Sequence, residues 1–229
     1  MALSTSGHES RTPFAQQTPM PATATESPQE TTPIVGIGAS AGGLEPLCAF
    51  LSALPSLPGA AFIVVMHLSP ESHSELAAIL GRRARMPVTE VRGRVALQPD
   101  HVYVSPPDRR LEVTDTTVSA VPFARAAERR AAVDLLFHSL AACHGNSFAV
   151  VLSGVGADGA VGTKAVKEAG GVILVQDPNE AEFDGMPRAA IATAAADLVL
   201  PVDALAERLA LLLRDRDSLR RRPAAPEAL

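Results

Sequence analysis

From Ile34 onward, short β-branched runs alternate with stretches of helical periodicity, and that alternation leaves few architectures open. The β runs fall at 34–37, 61–66, 148–152, 172–175 and 198–200, and the helical stretches at 44–54, 74–83, 133–143, 159–169 and 202–214. Strands interleaved with helices in this way predict an α/β fold: a doubly wound, mainly parallel sheet with helices on both faces. Between Val88 and Pro122 the rhythm breaks. There 101–104, 110–113 and 117–121 read as strands joined by short polar turns, which predicts an antiparallel β-hairpin attached to the parallel core.

The chain has 229 residues, 47% of them hydrophobic and 20% charged, enough for one such domain with a core but hardly for two. Residues 1–32 are Ser, Thr, Pro, Gln and Glu with few large apolar side chains, so they read as a disordered leader. The domain is expected over 33–214, and 215–229, charged and then Pro-Ala rich, as a flexible tail. A formal net charge of -5 gives no footprint for nucleic acid. Cys48 and Cys143 lie in apolar helical patterns and imply core positions rather than a disulfide framework. Neither a secretory signal nor an apolar run of membrane-spanning length is visible, so a cytoplasmic protein without membrane insertion is expected, a monomer by default.

The first β run enters a cluster of small residues, Gly36-Ile37-Gly38-Ala39-Ser40-Ala41-Gly42-Gly43, before helical periodicity resumes at Leu44. The letters support three readings. Gly38-Ala39-Ser40-Ala41-Gly42 fits G-x-S-x-G, which lifts a serine clear at the carboxyl edge of a sheet. Gly36-x-Gly38-x-x-Ala41 is a variant of the dinucleotide fingerprint. The third makes Ser40 a helix cap and the glycines packing residues.

Two further strand ends bear on the choice. The second strand runs into His67, and no acidic residue stands near its end to take the ribose hydroxyls of a dinucleotide. In a doubly wound fold this end lies beside that of the first strand, so His67 and Ser40 could come within hydrogen-bond reach. Another run leads into Ser153-Gly154-Val155-Gly156-Ala157-Asp158-Gly159, where Asp158 is either the cap of the next helix or the acid that orients His67. The order Ser, His, Asp differs from the Ser, Asp, His of α/β-hydrolases. The other histidines, His73, His101, His138 and His144 among them, show no metal-ligand spacing and read as structural or surface residues.

Four blocks, Gly36 to Gly43, Met66-His67-Leu68-Ser69-Pro70, Leu152 to Gly159 and Phe183-Asp184-Gly185-Met186-Pro187-Arg188, resemble the signature blocks of the CheB-type chemotaxis protein-glutamate methylesterases, in family order. The resemblance runs from about Pro33 to about Leu213. It implies a serine hydrolase that demethylates γ-glutamyl methyl esters on receptor helices and often deamidates glutamine there. It also implies Ser40 as nucleophile, His67 as base and Asp158 as orienting acid, with backbone N–H groups of Val155 and Ala41 at the oxyanion and 183–187 as a substrate-facing loop. The neighbourhoods of Asp177 and Asp184 are expected at the crevice rim. No metal or organic cofactor is called for.

The sequence departs from the family pattern in places. Ala41 stands where Thr is common and Val155 where Met is common, though a backbone donor survives either change. The leader is too short for the phosphoacceptor domain that members commonly carry, so the expected control is a regulatory partner in trans or none. Two other classes stay open: an acyl hydrolase of another ester or amide on the same scaffold, and a non-catalytic binding module.

Overall fold

A computed structural model describes residues 1–2, 32–67, 75–143 and 147–220, with side chains as far as 215. The chain divides into a unit Met1–Glu30, nearly all of it outside the described residues, and a unit Thr31–Leu229, to which every element below belongs. In chain order these are β1 (Ile34–Ala39), α1 (Leu44–Ala53), β2 (Ala61–Met66), α2 (Leu76–Gly81), β3 (Val88–Glu90), β4 (Arg94–Ala96), β5 (His101–Val104), β6 (Arg109–Val113) and β7 (Thr117–Pro122). A 3-10 turn over Ala126–Ala131 leads into α3 (Ala132–Ala141), β8 (Ser147–Val151), α4 (Ala160–Glu168), β9 (Val172–Gln176), α5 (Gly185–Ala192), β10 (Leu198–Leu200) and α6 (Val202–Arg220).

The strands form a seven-stranded sheet, ordered β10-β9-β8-β1-β2-β5-β3. All of its pairings are parallel. A separate antiparallel sheet has the order β4-β7-β6. The doubly wound α/β expectation and an attached antiparallel element are therefore both present, with one correction. Residues 101–104 do not join the hairpin: β5 pairs in parallel with β2 and β3 in the main sheet, and β4 takes the third place beside β6 and β7. Two helices also differ from expectation. Helix α6 continues to Arg220, past the expected end at Arg214, and α5 begins inside the stretch expected to be a loop.

Side chains alternate between two cores along each central strand, as the period of two requires. Val35, Ile37, Phe62, Val64, Phe148 and Val150 enter one core with Leu47, Phe50 and Leu51 of α1 and Leu205 and Leu209 of α6. Ile63, Val65, Ala149 and Val151 enter the other with Val133, Leu136, Phe137 and Leu140 of α3. Cys48 and Cys143 are buried in these two cores, and desolvation raises both thiols, that of Cys143 to about 11.

On the α3 side β1 contributes Gly36 and Gly38, and their role is close approach. A Cβ at Gly36 would overlap Leu140 and crowd Phe137, and one at Gly38 would overlap Val133. Residues 133, 137 and 140 share one helical face, so α3 lies directly along β1 with its N-terminus at the carboxyl end of the strand.

The small sheet is joined to the large one through Tyr103 of β5. Its buried hydroxyl donates to Ala96 O (3.1 Å) and accepts from Gln98 N (3.0 Å), closing the end of β4.

Candidate active site

From β1 the chain builds the sheet outward through β2 and β5, then returns to the far side of β1 with β8, β9 and β10. Strand order thus reverses between β1 and β8, and the crevice at their carboxyl ends is where an open α/β sheet binds ligands. Ser40 leaves β1 there, His67 leaves β2 on one side of it, and Ser153 and Gly154 follow β8 on the other.

Ser40 opens a tight turn: Gly43 N donates to Ser40 O (2.9 Å), and Gly42 at the third position has φ +66, a conformation that glycine adopts without strain. Ser40 N donates to Ser153 O (3.0 Å), and the residue is only 6% exposed. The cap of α1 is Gly43, with no side-chain hydrogen bond, so Ser40 is not an N-cap. The dinucleotide reading fails too: Gly36 and Gly38 lie inside β1 under α3, not in a turn that could cradle a pyrophosphate.

His67 N donates to Ala39 O (3.1 Å), extending the β1–β2 ladder by one residue past its last pair, Ala39 with Met66. That bond fixes the backbone of His67 beside the turn that carries Ser40. The next residues of the block, Leu68 to Pro70, lie outside the described residues, as do His73 and His144.

Asp158 comes from the β8 turn and is not the cap of α4, which is Gly159. Its carboxylate instead closes the N-terminus of α3, accepting Val133 N at Oδ2 and Asp134 N at Oδ1, both at 2.9 Å. Oδ2 also lies 3.2 Å from His67 Nε2, with the two side chains 6% and 29% exposed. The N–H direction there is poorly aligned and Nε2 makes no hydrogen bond, so the contact is electrostatic until the ring turns. Burial pushes the Asp158 carboxyl above its ordinary value. The two amide bonds and His67 pull against that shift, and the charge of Asp134 adds to it.

The structure therefore brings His67 and Asp158 together. It sets Ser40 at the adjoining strand end, with its Oγ in no hydrogen bond among the described residues. The N–H groups of Ala41 and Val155, also expected at the site, likewise donate to no described residue.

The β8 turn is clasped from beyond. Gly154 N donates to Phe183 O (2.9 Å), Met186 N to Gly154 O (2.8 Å), and Phe183 N to Ser153 Oγ (3.0 Å). Of that expected loop Phe183 does adjoin the Ser40 turn, since a Cβ at Gly42 would meet it and Glu182 at 2.8 Å, but Gly185 to Pro187 form the first turn of α5. Asp184 pairs with Arg188 on that helix, and Asp177 accepts from Asn179. Behind the turn, Ser153 N donates to the buried Gln176 Oε1 (2.8 Å). Gln176 Nε2 donates to Glu180 Oε2 (3.1 Å), which also accepts Val202 N of α6 (2.9 Å). Sequence reasoning missed this support; its only trace was a Gln at the end of an apolar strand.

Among the described residues no group of His, Cys, Asp and Glu could hold a metal ion. His101 stacks on Tyr103 and hydrogen-bonds Thr89, and His138 is exposed on α3. A larger hollow of about 660 Å³, near Pro55, Leu57 and Leu211, is lined by none of Ser40, His67 and Asp158. No described helix is long and apolar enough to cross a membrane.

The CheB methylesterase family pattern matches residues 35–209. A protein-glutamate methylesterase/protein-glutamine glutaminase of Pseudomonas aeruginosa is 38% identical over 185 residues, covering 78% of this chain and 52% of its own. The chain thus spans about half the length of that relative. A relative from Leptospira interrogans named for the same two activities is 34% identical over 188 residues, covering 81% of this chain and 96% of its own. Among solved structures, the Thermotoga maritima CheB methylesterase catalytic domain superposes with a TM-score of 0.73 at 30% identity, covering 79% of this chain and 98% of that one.

Proposed function

We propose, for a chain that belongs to the CheB methylesterase family, hydrolysis of γ-glutamyl methyl esters on chemoreceptor-like helices by Ser40, His67 and Asp158. The observation that carries this reading is the junction of three chain segments at one sheet edge. The Asp158 carboxylate lies 3.2 Å from the His67 ring, and His67 N is bonded to the residue before Ser40.

Ser40 Oγ attacks the ester carbonyl while the imidazole takes its proton. The ring nitrogen facing Asp158 keeps its own proton, and the carboxylate stabilises the imidazolium so formed. The N–H groups of Ala41 and Val155, which donate to no described residue, receive the oxyanion, methanol leaves with the proton returned by His67, and water repeats the sequence on the acyl-enzyme. Deamidation of glutamine, the second activity in the relatives' names, needs the same steps with ammonia as leaving group. All of these groups come from one chain, so a monomer suffices, and the receptor-demethylating reading supports a cytoplasmic protein.

The test is volatile methanol counted from radiomethylated receptor. Release by the parent and none by Ser40→Ala is the expected result; release that survives in Ser40→Ala removes this serine from the mechanism. Release from free methyl esters but never from receptor would instead favour the broader acyl-hydrolase class.

A further inference from the structure

Beside His67 a pocket of about 170 Å³ opens between the end of β2 and the chain that leaves β5. Pro106 and Pro107 line it, and Arg109, Phe123 and Arg129 close it. The arginines here have different partners. Arg110 is used by the fold, 2.7 Å from Glu112 and 3.7 Å from Glu128. Arg129 has no acidic partner among the described residues; its guanidinium lies over the Phe123 ring, 5.3 Å from the centroid. Among the described residues Arg109 reaches only the exposed Asp108, at 3.9 Å. A guanidinium resting on an aromatic face keeps its planar fork of donors, the geometry that matches a carboxylate.

The opposite flank has another character. Val155, 54% exposed, and Phe183, 38% exposed, stand on the β8 side, where Glu182 lies over the Ser40 turn. The crevice is thus cationic toward β5 and apolar to acidic toward β8. Two strand spacings, ~10 Å, separate β1 from β5, which is about two turns of a helix.

We propose that this pocket is a carboxylate subsite, in which Arg109 and Arg129 bind an acidic side chain of the substrate helix lying one to two turns from the ester. The subsite rests on the esterase reading and adds to it a charge requirement and a direction: the acid points toward β5, and the flank holding Glu182 rejects it.

The test uses two helical peptides of about 20 residues, long enough to hold a helix. Each carries one glutamate γ-methyl ester, with glutamates one and two turns away in one peptide and glutamines there in the other. The parent is expected to show a kcat/KM for methanol release about tenfold higher on the acidic peptide, through KM, as for a charged hydrogen bond. The double variant Arg109→Gln/Arg129→Gln should bring that ratio toward one, whereas Arg125→Gln/Arg130→Gln, the same charge change outside the pocket, retains it. Equal kcat/KM in the parent, or a preference kept in the double variant, overturns the subsite.

Anisotropy of the labelled, unesterified acidic peptide on Ser40→Ala reads the subsite without turnover. There the two arginine changes should weaken binding about tenfold. No methanol from either peptide or from radiomethylated receptor, with that binding difference intact, would refute the esterase and leave the subsite standing. Binding indifferent to both arginines overturns the subsite whatever the turnover.

Discussion

Two backbone N–H groups of α3 end on Asp158, whereas no hydrogen bond of the described fold ends on Ser40 Oγ. Ser40→Ala is therefore expected to abolish ester turnover with the melting temperature and far-UV spectrum unchanged; a large fall in Tm would reveal a structural role for the hydroxyl. Asp158→Ala should lose turnover and also cost about 1–3 kcal/mol in denaturant unfolding, since it leaves the start of α3 uncapped. The pH dependence follows from the raised carboxyl of Asp158. As pH rises from the ordinary carboxyl value toward the raised one, the unfolded chain releases this proton before the folded chain does, so the group lowers stability through that interval. Asp158→Asn removes the fall, and the difference in Tm between parent and variant, followed against pH, should change through that interval. Asp134→Asn, which takes away a charge that raises the carboxyl, should move the interval downward.

Helix α3 rests on β1 because Gly38 has no side chain, and Gly38→Ala sets a methyl against Val133. Such overpacking typically costs about 1–3 kcal/mol, and here it should separate α3 from β1 and loosen Asp158 from His67. Adding Val133→Ala to Gly38→Ala should recover part of both stability and turnover; a double variant worse than either single would show that the fit is not the cause. This contact also shows where sequence reading stops. The β1 run and the small residues after it were legible, but whether Gly38 served a turn or a packed helix depended on α3, some hundred residues further on by rough count. For 101–104, local pattern gave a strand and could not choose its partner, because pairing is non-local. Gly185 and Pro187 read as loop punctuation, yet proline is tolerated in the first turn of a helix, which is where α5 holds it. At the candidate site, the approach of Asp158 to His67 was legible because His67 follows the end of β2 beside the Ser40 turn and Asp158 lies in the turn between β8 and α4. The bonds from Asp158 to α3 and from Gln176 to Ser153 were not, since they join segments that share no local pattern.

Across the whole molecule, the small sheet contributes Leu111, Val113 and Val118 to the same core as α3 and the main strands, and Tyr103 ties the two sheets. With one tyrosine and no tryptophan in the chain, Tyr103 emission reports that junction alone. It should unfold in denaturant at the same midpoint as the far-UV signal of the helices, and an earlier emission midpoint would mean that the small sheet detaches first. The double bond from Asp158 to α3 has a further consequence over evolutionary time. A lineage released from chemistry could drift at Ser40 without harm to its architecture, but it would need a substitute peg before giving up Asp158. Dead copies of this domain should then be recognised by a vanished alcohol beside a surviving acid.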